Sequence, residues 1–385
     1  MKNTHILCHY SEIALKGRNR SFFEKKLIEN IKKSLDKDSF STVKLFGGII
    51  SFELTPAAKE KKIKESLSKV FGISGFSFAV KTNQDIKDIK KISLEAIKEK
   101  KGKTFKIHCS RSDKSFSLTS NKVNNIVGKY ICDNTDKIVK LKKPSITCFI
   151  EIVKKEAYIY VKKEKGLGGL PVSCAGKVIS LISGGIDSPV SSYLIMKRGA
   201  SCIFVSFHSY PYTDEQSLKK IHNLVRMLTP YQNKSTLYMV PFANIQQEIA
   251  TNTPSSLRII LYRRMMVRIA QEIAKQEHAQ AIISGDSLSQ VASQTLENIS
   301  AIEQAADIPI FRPLIGMNKD EIISIAQRIK TFDISILPHQ DCCTRFVPAN
   351  PATKANLKDV LQAENNLNIK KLIKEALIGY EKIYF

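Results

Sequence analysis

No apolar run in the chain approaches the ~20 residues that a membrane-spanning helix needs. The start, MKNTHILCHYSEIALKG, lacks the charge-then-apolar layout of a secretory signal. Both absences predict a cytoplasmic protein without a membrane partner. No repeat of fixed period and no low-complexity segment appears. No Cys/His grouping has zinc-ligand spacing. The eight cysteines, in a chain of 385 residues without a secretion signal, read as thiols rather than a disulfide framework. Acidic residues are scarce beside basic ones, 36 against 60, leaving a net charge of +24.

The charge is uneven. Residues 1–173 carry 37 Lys+Arg against 18 Asp+Glu, whereas residues 174–385 carry 23 against 18. A basic front half beside a nearly balanced back half predicts a polyanion, nucleic acid, held by one part while the other does chemistry. At 43% hydrophobic residues the chain has ample material for two or three cores.

The first ~80 residues read as β-α-β-β-α-β. Strand-like runs are Thr4–Cys8, Thr42–Phe46, Ile49–Leu54 and Phe76–Val80, and helical stretches are Arg20–Leu35 and Ala57–Val70. Gly47-Gly48 is placed to turn the central hairpin. That order is ferredoxin-like. A second unit follows from Gln84: a helix to about Lys100, a strand Thr104–Cys109, a helix near Asn121–Cys132, and paired strands Ile146–Val153 and Ala157–Val161. KKEKGLGGLPVSCAGK reads as a linker. Beyond it, strand-like runs Val178–Ile182, Ser201–Phe207, Thr236–Pro241 and Gln280–Ser284 alternate with helical segments, the clearest being Ser256–His278. Such alternation predicts a parallel sheet flanked by helices, with ligands at the carboxyl ends of its strands.

KVISLISGGIDSPVSSYLIMKRG, from Lys177, carries the most chemistry. An apolar strand runs into Ser183-Gly184-Gly185, and Pro189 suits the first turn of a helix that Gly199 can end. Glycines let the backbone approach a ligand, free N–H groups point outward, and the helix dipole favours negative charge. The Walker pattern GxxxxGK[ST] is missing, and Asp187-Ser188 stand where its lysine and serine belong. SGGxDS resembles instead the PP-loop of ATP pyrophosphatases, which adenylate a substrate oxygen and release pyrophosphate.

Five segments, in order, resemble the tRNA 4-thiouridine synthetase family: HYSEIALKGRNRSFF from His9, CSRSDKSFSLTS from Cys109, GLGGLPVSCAGKVISLISGGIDSP, GDSLSQVASQTLENI from Gly285, and DCCTRFVP from Asp341. The resemblance implies three domains in a mixed α+β and α/β chain. These are a ferredoxin-like domain over residues 1–75, a THUMP RNA-binding domain over 76–166, and a PP-loop ATP pyrophosphatase and sulfurtransferase domain over 167–385. It implies an enzyme that uses ATP to activate a uridine carbonyl near the tRNA acceptor stem, at position eight, and replaces the oxygen with persulfide sulfur. It also implies a link to sulfur supply for the thiamine thiazole ring, and it allows a homodimer.

For pyrophosphate the donors are the Ser183–Gly185 amides, with Asp187 placed to hold Mg²⁺. Adenine needs a hydrogen-bonding edge at the next strand end, where Ser206-Phe207 lie. To these and Ser188 the resemblance adds Leu181, Ile182, Arg263, Gly285 and Gln294 as ATP-binding positions. Read alone, Phe207 is a core aromatic, and Arg263-Arg264 a solvated helix face or a tRNA contact. Sulfur transfer needs a thiolate, and Cys342-Cys343, beside Arg345 between Pro338 and Pro348, sit where a cation lowers a thiol pKa. The family's catalytic cysteine follows an aspartate by two positions, which selects Cys343 and leaves Cys342 without a role. Cys8, Cys109, Cys132, Cys148, Cys174 and Cys202 are expected to be buried bystanders.

Two features depart from parts of the family. No rhodanese-like segment follows, so sulfur is expected directly from a cysteine desulfurase. Where other members place a cluster-binding CxxC, this chain has Ile259 and Tyr262, which argues against an iron–sulfur cluster. Rival readings are another PP-loop RNA modifier, making lysidine or 2-thiouridine, and a non-catalytic RNA binder or sulfur carrier. The THUMP-like front half and the DCC loop argue against the first, and the joint presence of SGGIDS and DCC against the second.

Overall fold

A computed structural model describes residues 2–210, 215–338 and 350–385, which form two compact units, residues 1–170 and 171–385. The first unit runs β1 (His5–His9), α1 (Arg20–Ser34), β2 (Phe40–Phe46), β3 (Ile49–Leu54), α2 (Glu60–Leu67) and β4 (Gly75–Asn83). It continues with α3 (Ile86–Lys98), β5 (Thr104–Arg111), α4 (Ser120–Asp133), β6 (Ile138–Val139), β7 (Ile146–Val153), β8 (Glu156–Tyr160) and β9 (Glu164–Lys165). The first four strands lie in the order β2-β3-β1-β4, every pair antiparallel, which is the ferredoxin-like arrangement read from the sequence. Leu27 and Ile31 of α1 are buried against Ile6, Ile50 and Phe52, with Phe23 partly buried beside them.

β4 is longer than its apolar run suggests, and the extra length joins two sheets. Residues 75–79 pair with β1, whereas residues 80–83 pair with β8. The sheet therefore continues through β8, β7, β5 and β6. Two hairpins in this unit use two-residue turns. Gly47 and Gly48 close β2–β3 with φ of +54° and +89°, the left-handed backbone that glycine adopts without strain. Lys154 and Lys155 close β7–β8 with φ of +40° and +67°, conformations costly for residues with a Cβ.

The second unit contains β10 (Lys177–Leu181), α5 (Asp187–Lys197), β11 (Ser201–His208), α6 (Glu215–Leu228), β12 (Thr236–Pro241), α7 (Ala243–Asn252), α8 (Arg258–Glu277) and β13 (Ile282–Ile283). It ends with α9 (Leu296–Glu303), β14 (Ile310–Phe311), α10 (Lys319–Arg328), α11 (Phe332–Ser335), α12 (Leu357–Glu364), α13 (Ile369–Ile378) and β15 (Glu381–Tyr384). The sheet order is β14-β13-β10-β11-β12-β15, parallel except for the last strand. From β10 the chain steps outward to β11 and β12, then crosses back to β13. The crevice between the carboxyl ends of β10 and β13 is the topological switch point at which such sheets bind ligands. Ile179, Val205, Tyr238, Val240 and Ile282 of the sheet pack with Leu261, Met265, Ile269 and Ile273 of α8 in one buried cluster. Each such aliphatic side chain contributes about 1.5–3 kcal/mol by leaving water, and this burial fixes the strand ends that carry the site.

Candidate active site

β10 is followed by Ile182, whose N–H still donates to Val205 O at 2.9 Å. The chain then turns through Ser183–Gly185 and enters α5 at Asp187. Ser188, in the first turn of α5, holds the loop closed. Its hydroxyl accepts from Ser183 N–H at 2.9 Å and donates to Ser183 O at 3.2 Å. One turn on, the Ser192 hydroxyl donates to Ser188 O and lies 2.7 Å from the Ser180 hydroxyl, tying helix to strand. Pro189 lies in the first turn and Gly199 follows the helix with φ +92°, as the sequence predicts. Across the crevice, a Cβ on Gly285 would stand 2.9 Å from Ser188 N and 3.0 Å from Ser188 Cα. Only glycine lets the loop after β13 come this close to the helix N terminus.

These elements frame a cleft of about 450 Å³. Leu181, Ile182, Ser183, Gly184, Gly185, Asp187, Ser188, Ser206, Phe207, Arg263, Gly285 and Gln294 all line it, drawn from four separate segments of sequence. Phe207 serves two surroundings, meeting Phe242 of the core edge-on at 5.2 Å while also facing the cleft. Arg263 and Arg264 part ways. Arg263 lines the cleft, whereas Arg264 is fully buried and bonded to Glu364, Gln304 and Ala301 O. The solvated-face expectation fails for Arg264 because α12 and α9 cover that side of α8. Cys342 and Cys343 lie outside the described residues.

Asp286, which sequence reasoning missed, organises one wall. It is buried and accepts from Arg263, from the Ser284 hydroxyl at 2.7 Å and from the Gln294 amide at 3.3 Å. Burial pushes its carboxyl pKa up, but the guanidinium of Arg263, the Ser284 hydroxyl and Arg312 outweigh it, so the group is held below the ordinary carboxylate range. Gln294 Oε1 is buried in the same wall and has no hydrogen-bond partner among the described residues. Asp187 is held from two other elements: Lys319 Nζ lies 2.6 Å from Oδ1 and the Gln290 amide 2.9 Å from Oδ2. An Asn318–Glu321 capping box fixes Lys319 at the start of α10. The ion pair joins residues 132 apart in sequence, and no local pattern marks it. Ser335 meets the loop and is itself anchored by Lys220. The Ser335 hydroxyl donates to Gly185 O at 3.2 Å, and the buried Lys220 ammonium donates to Ser335 O and Leu337 O, both at 2.8 Å.

Of the six remaining cysteines, Cys8, Cys109, Cys148 and Cys202 are buried as expected, and burial pushes their thiols up, to about 11 for Cys109 and about 12 for Cys148. Cys132 is exposed and Cys174 half-buried, which corrects the expectation for those two. Cys132 sits in the last turn of α4, one residue past the buried Ile131 and off the packed face. Among the described residues no cluster of three or more metal-ligating side chains occurs, and no helix is long and apolar enough to cross a membrane.

A glycine loop and helix N terminus at the switch point of a parallel sheet, in one chain with a ferredoxin-like and THUMP front half, define a multidomain PP-loop nucleotide enzyme. Residues 173–369 match the family described as thiamine biosynthesis protein (ThiI), residues 5–77 its ferredoxin-like domain, and residues 80–162 the THUMP domain. A probable tRNA sulfurtransferase of Thermoanaerobacter sp. strain X514 is 43% identical over 369 residues, 96% of each chain. One of Moorella thermoacetica is 41% identical over 379 residues, 98% of this chain and 97% of the relative. The crystal structure of a 4-thiouridine synthetase–RNA complex with bound ATP superposes with a TM-score of 0.92 at 33% identity, covering both chains fully. The chain belongs to the ThiI family of tRNA sulfurtransferases.

Proposed function

We propose that this chain, an ATP-dependent tRNA sulfurtransferase, converts a uridine at position eight of tRNA to 4-thiouridine. The observation that carries the reading is the single cleft. Twelve residues picked out as a nucleotide site, distant in sequence, line one cavity at the carboxyl ends of β10, β11 and β13. In this reading the Ser183–Gly185 amides and the N terminus of α5 receive the pyrophosphate part of ATP, and Ser206 and Phe207 flank adenine. Arg263 and Gln294 complete the wall.

The uridine O4 attacks the α-phosphorus and pyrophosphate leaves. The terminal sulfur of a Cys343 persulfide then attacks C4 and displaces AMP. A second thiolate attacks Cys343 Sγ, releasing 4-thiouridine and leaving a disulfide. A cysteine desulfurase supplies the persulfide sulfur, the thiamine thiazole ring is a second outlet for it, and a cytoplasmic homodimer is the working assembly. Mg²⁺ fits the donor set: Asp187 offers a hard carboxylate in the cleft beside the phosphate-binding amides, the pattern of an ion held by one carboxylate and phosphate oxygens. Bound there it would neutralise charge on the phosphates, with Asp187 exchanging its contact to Lys319.

Mass spectrometry of bulk tRNA nucleosides tests the reading. A strain deleted for this gene should lack 4-thiouridine and regain it with the wild-type gene but not with Asp187→Ala. Unchanged 4-thiouridine in the deletion strain contradicts the assignment.

A further inference from the structure

Two buried polar side chains outside the nucleotide site hold opposite ends of the same stretch of chain. Lys220, on α6, is only 4% exposed. An ammonium group taken out of water is costly unless its protons find acceptors. Lys220 Nζ donates to Ser335 O and to Leu337 O, both at 2.8 Å, at and just beyond the end of α11. The last carbonyls of a helix have no intrahelical partner, so the ammonium and the chain end satisfy each other. Ser335 also reaches in a second direction, its hydroxyl donating to Gly185 O at 3.2 Å. Gly185 lines the cleft. The chain entering residues 338–351 is thereby tied to the glycine loop.

The exit is tied as well. Asn298, in α9, is fully buried. Its Nδ2 donates to Ala292 O at 2.7 Å and to Ala352 O at 2.8 Å, and its Oδ1 accepts from Ala355 N–H at 2.9 Å. These bonds to backbone use both amide donors and one of the two oxygen lone pairs. Ala292 opens the single turn 292–294, whose Ser293 and Gln294 line the cleft. Two more bonds hold the same exit: the Thr295 hydroxyl donates to Thr353 O at 2.7 Å, and Ala352 N–H to Ser256 O at 3.0 Å. One amide thus joins the chain leaving the segment to the wall that carries Gln294.

Cys343 stands six residues after Leu337 and nine before Ala352. Six residues span at most about 20 Å, so the Lys220 anchor bounds the distance of Cys343 from the glycine loop. We propose that Lys220 and Asn298 are positioning residues for sulfur transfer, holding the two ends of the Cys343 segment to two walls of the nucleotide cleft. The proposal rests on the reading above, in which the cleft adenylates uridine and Cys343 carries the persulfide. A bound nucleophile attacks efficiently when held about 3–3.5 Å from its target and aligned, and a displacement of about 1 Å costs on the order of a hundredfold. Adenylation needs no sulfur. Loosening either clamp therefore separates the two half-reactions, and activation continues while transfer fails. Water then attacks C4 of the activated uridine, displaces AMP and regenerates uridine, so ATP is spent without product.

The test uses the full chain, a tRNA transcript, saturating ATP and glutathione persulfide, with enzyme in excess, and reads pyrophosphate and 4-thiouridine in the same samples. Lys220→Met removes the donor and keeps an unbranched stem. Asn298→Asp keeps the size and the acceptor but loses both donors. Each should slow 4-thiouridine formation by roughly 30-fold or more while pyrophosphate release stays within about threefold of wild type. Lys220→Arg, which still donates to carbonyls, should recover part of the transfer. Persulfide on Cys343, followed by peptide mass spectrometry, should match wild type. A ratio of 4-thiouridine to pyrophosphate unchanged in both variants, whether both steps persist or both fall, overturns the proposal. Failure of both variants to fold makes the clamps merely structural and overturns it too, as does loss of the persulfide itself, which places the defect before the cleft. Controls separate the underlying reading: 4-thiouridine formed by Cys343→Ser, or no tRNA-dependent pyrophosphate release by wild type, contradicts that reading rather than the clamps.

Discussion

Arg263 and Asp286 form an ion pair in the wall of the cleft, the arginine from the middle of α8 and the carboxylate from the loop after β13. Asp286 also receives Gln294, so one buried carboxylate sets the position of two lining side chains. Asp286→Asn keeps the shape but withdraws the charge. It should raise the KM for ATP by roughly tenfold, as expected when a charge-assisted hydrogen bond is lost, with a smaller effect on kcat. The sign with pH follows from the direction of the shift. A carboxylate held below its unfolded value of about 3.9 adds stability above that pH and loses it as pH falls through the lower folded value. The stability gap between wild type and Asp286→Asn should therefore be full at pH 7 and close below about pH 4 in urea titrations.

Glu364 of α12 receives both Arg264, which is fully buried, and Arg268 of α8. This cluster ties the C-terminal helices to the sheet-packing helix. Glu364→Ala leaves a buried guanidinium unpaired and should destabilise the protein by about 3–5 kcal/mol. The double variant Arg264→Met/Glu364→Met should lose less than the single one, because the fully buried charge goes with its partner and only the partly exposed Arg268 is left unpaired. A double variant less stable than Glu364→Ala contradicts this.

The first unit has its own sheet and buried clusters, and most of the excess charge lies within residues 1–173. A fragment of residues 1–170 should therefore bind tRNA alone. Its affinity should fall on the order of a hundredfold or more between 50 and 200 mM salt, as phosphate neutralisation releases counterions. Filter binding without a salt slope contradicts a phosphate-based clamp.

Much of this structure was legible in the sequence where burial wrote a period. The edges of β3, β7 and β12 coincide with the strand-like runs Ile49–Leu54, Ile146–Val153 and Thr236–Pro241, and SGGIDSP marked the loop and the helix start. What was missed depends on partners far along the chain. β15 is four residues with no apolar alternation, and it forms by pairing with β12. The length of β4 reflects two different partner strands. At the cleft, Gly285 and Gln294 were picked out, whereas Asp286 and Gln290 of the same GDSLSQVASQTLENI segment, and Lys319, required the fold, since a polar side chain carries no local sign of the partner it will meet. Arg264 shows the converse: an arginine beside a site arginine is a structural ion pair, and nothing in the dipeptide distinguishes the two.

The adjacent thiols separate by variant. Cys343→Ser should still release pyrophosphate with tRNA yet form no 4-thiouridine, while Cys342→Ser should retain much of its activity, since a vicinal disulfide is strained and makes Cys342 a poor resolving thiol. Single-turnover assays with a persulfide donor decide it. An inactive Cys342→Ser beside an active Cys343→Ser reverses the assignment.

The most direct measurement is tRNA-dependent pyrophosphate release by Asp187→Ala. Asp187 opens α5 beside the glycine loop, in the unit that carries little of the excess charge. If the cleft activates the uridine, pyrophosphate release should disappear while tRNA affinity stays within about twofold of wild type, because phosphate contacts elsewhere dominate that affinity. Release at the wild-type rate would contradict the assignment of this cleft to ATP.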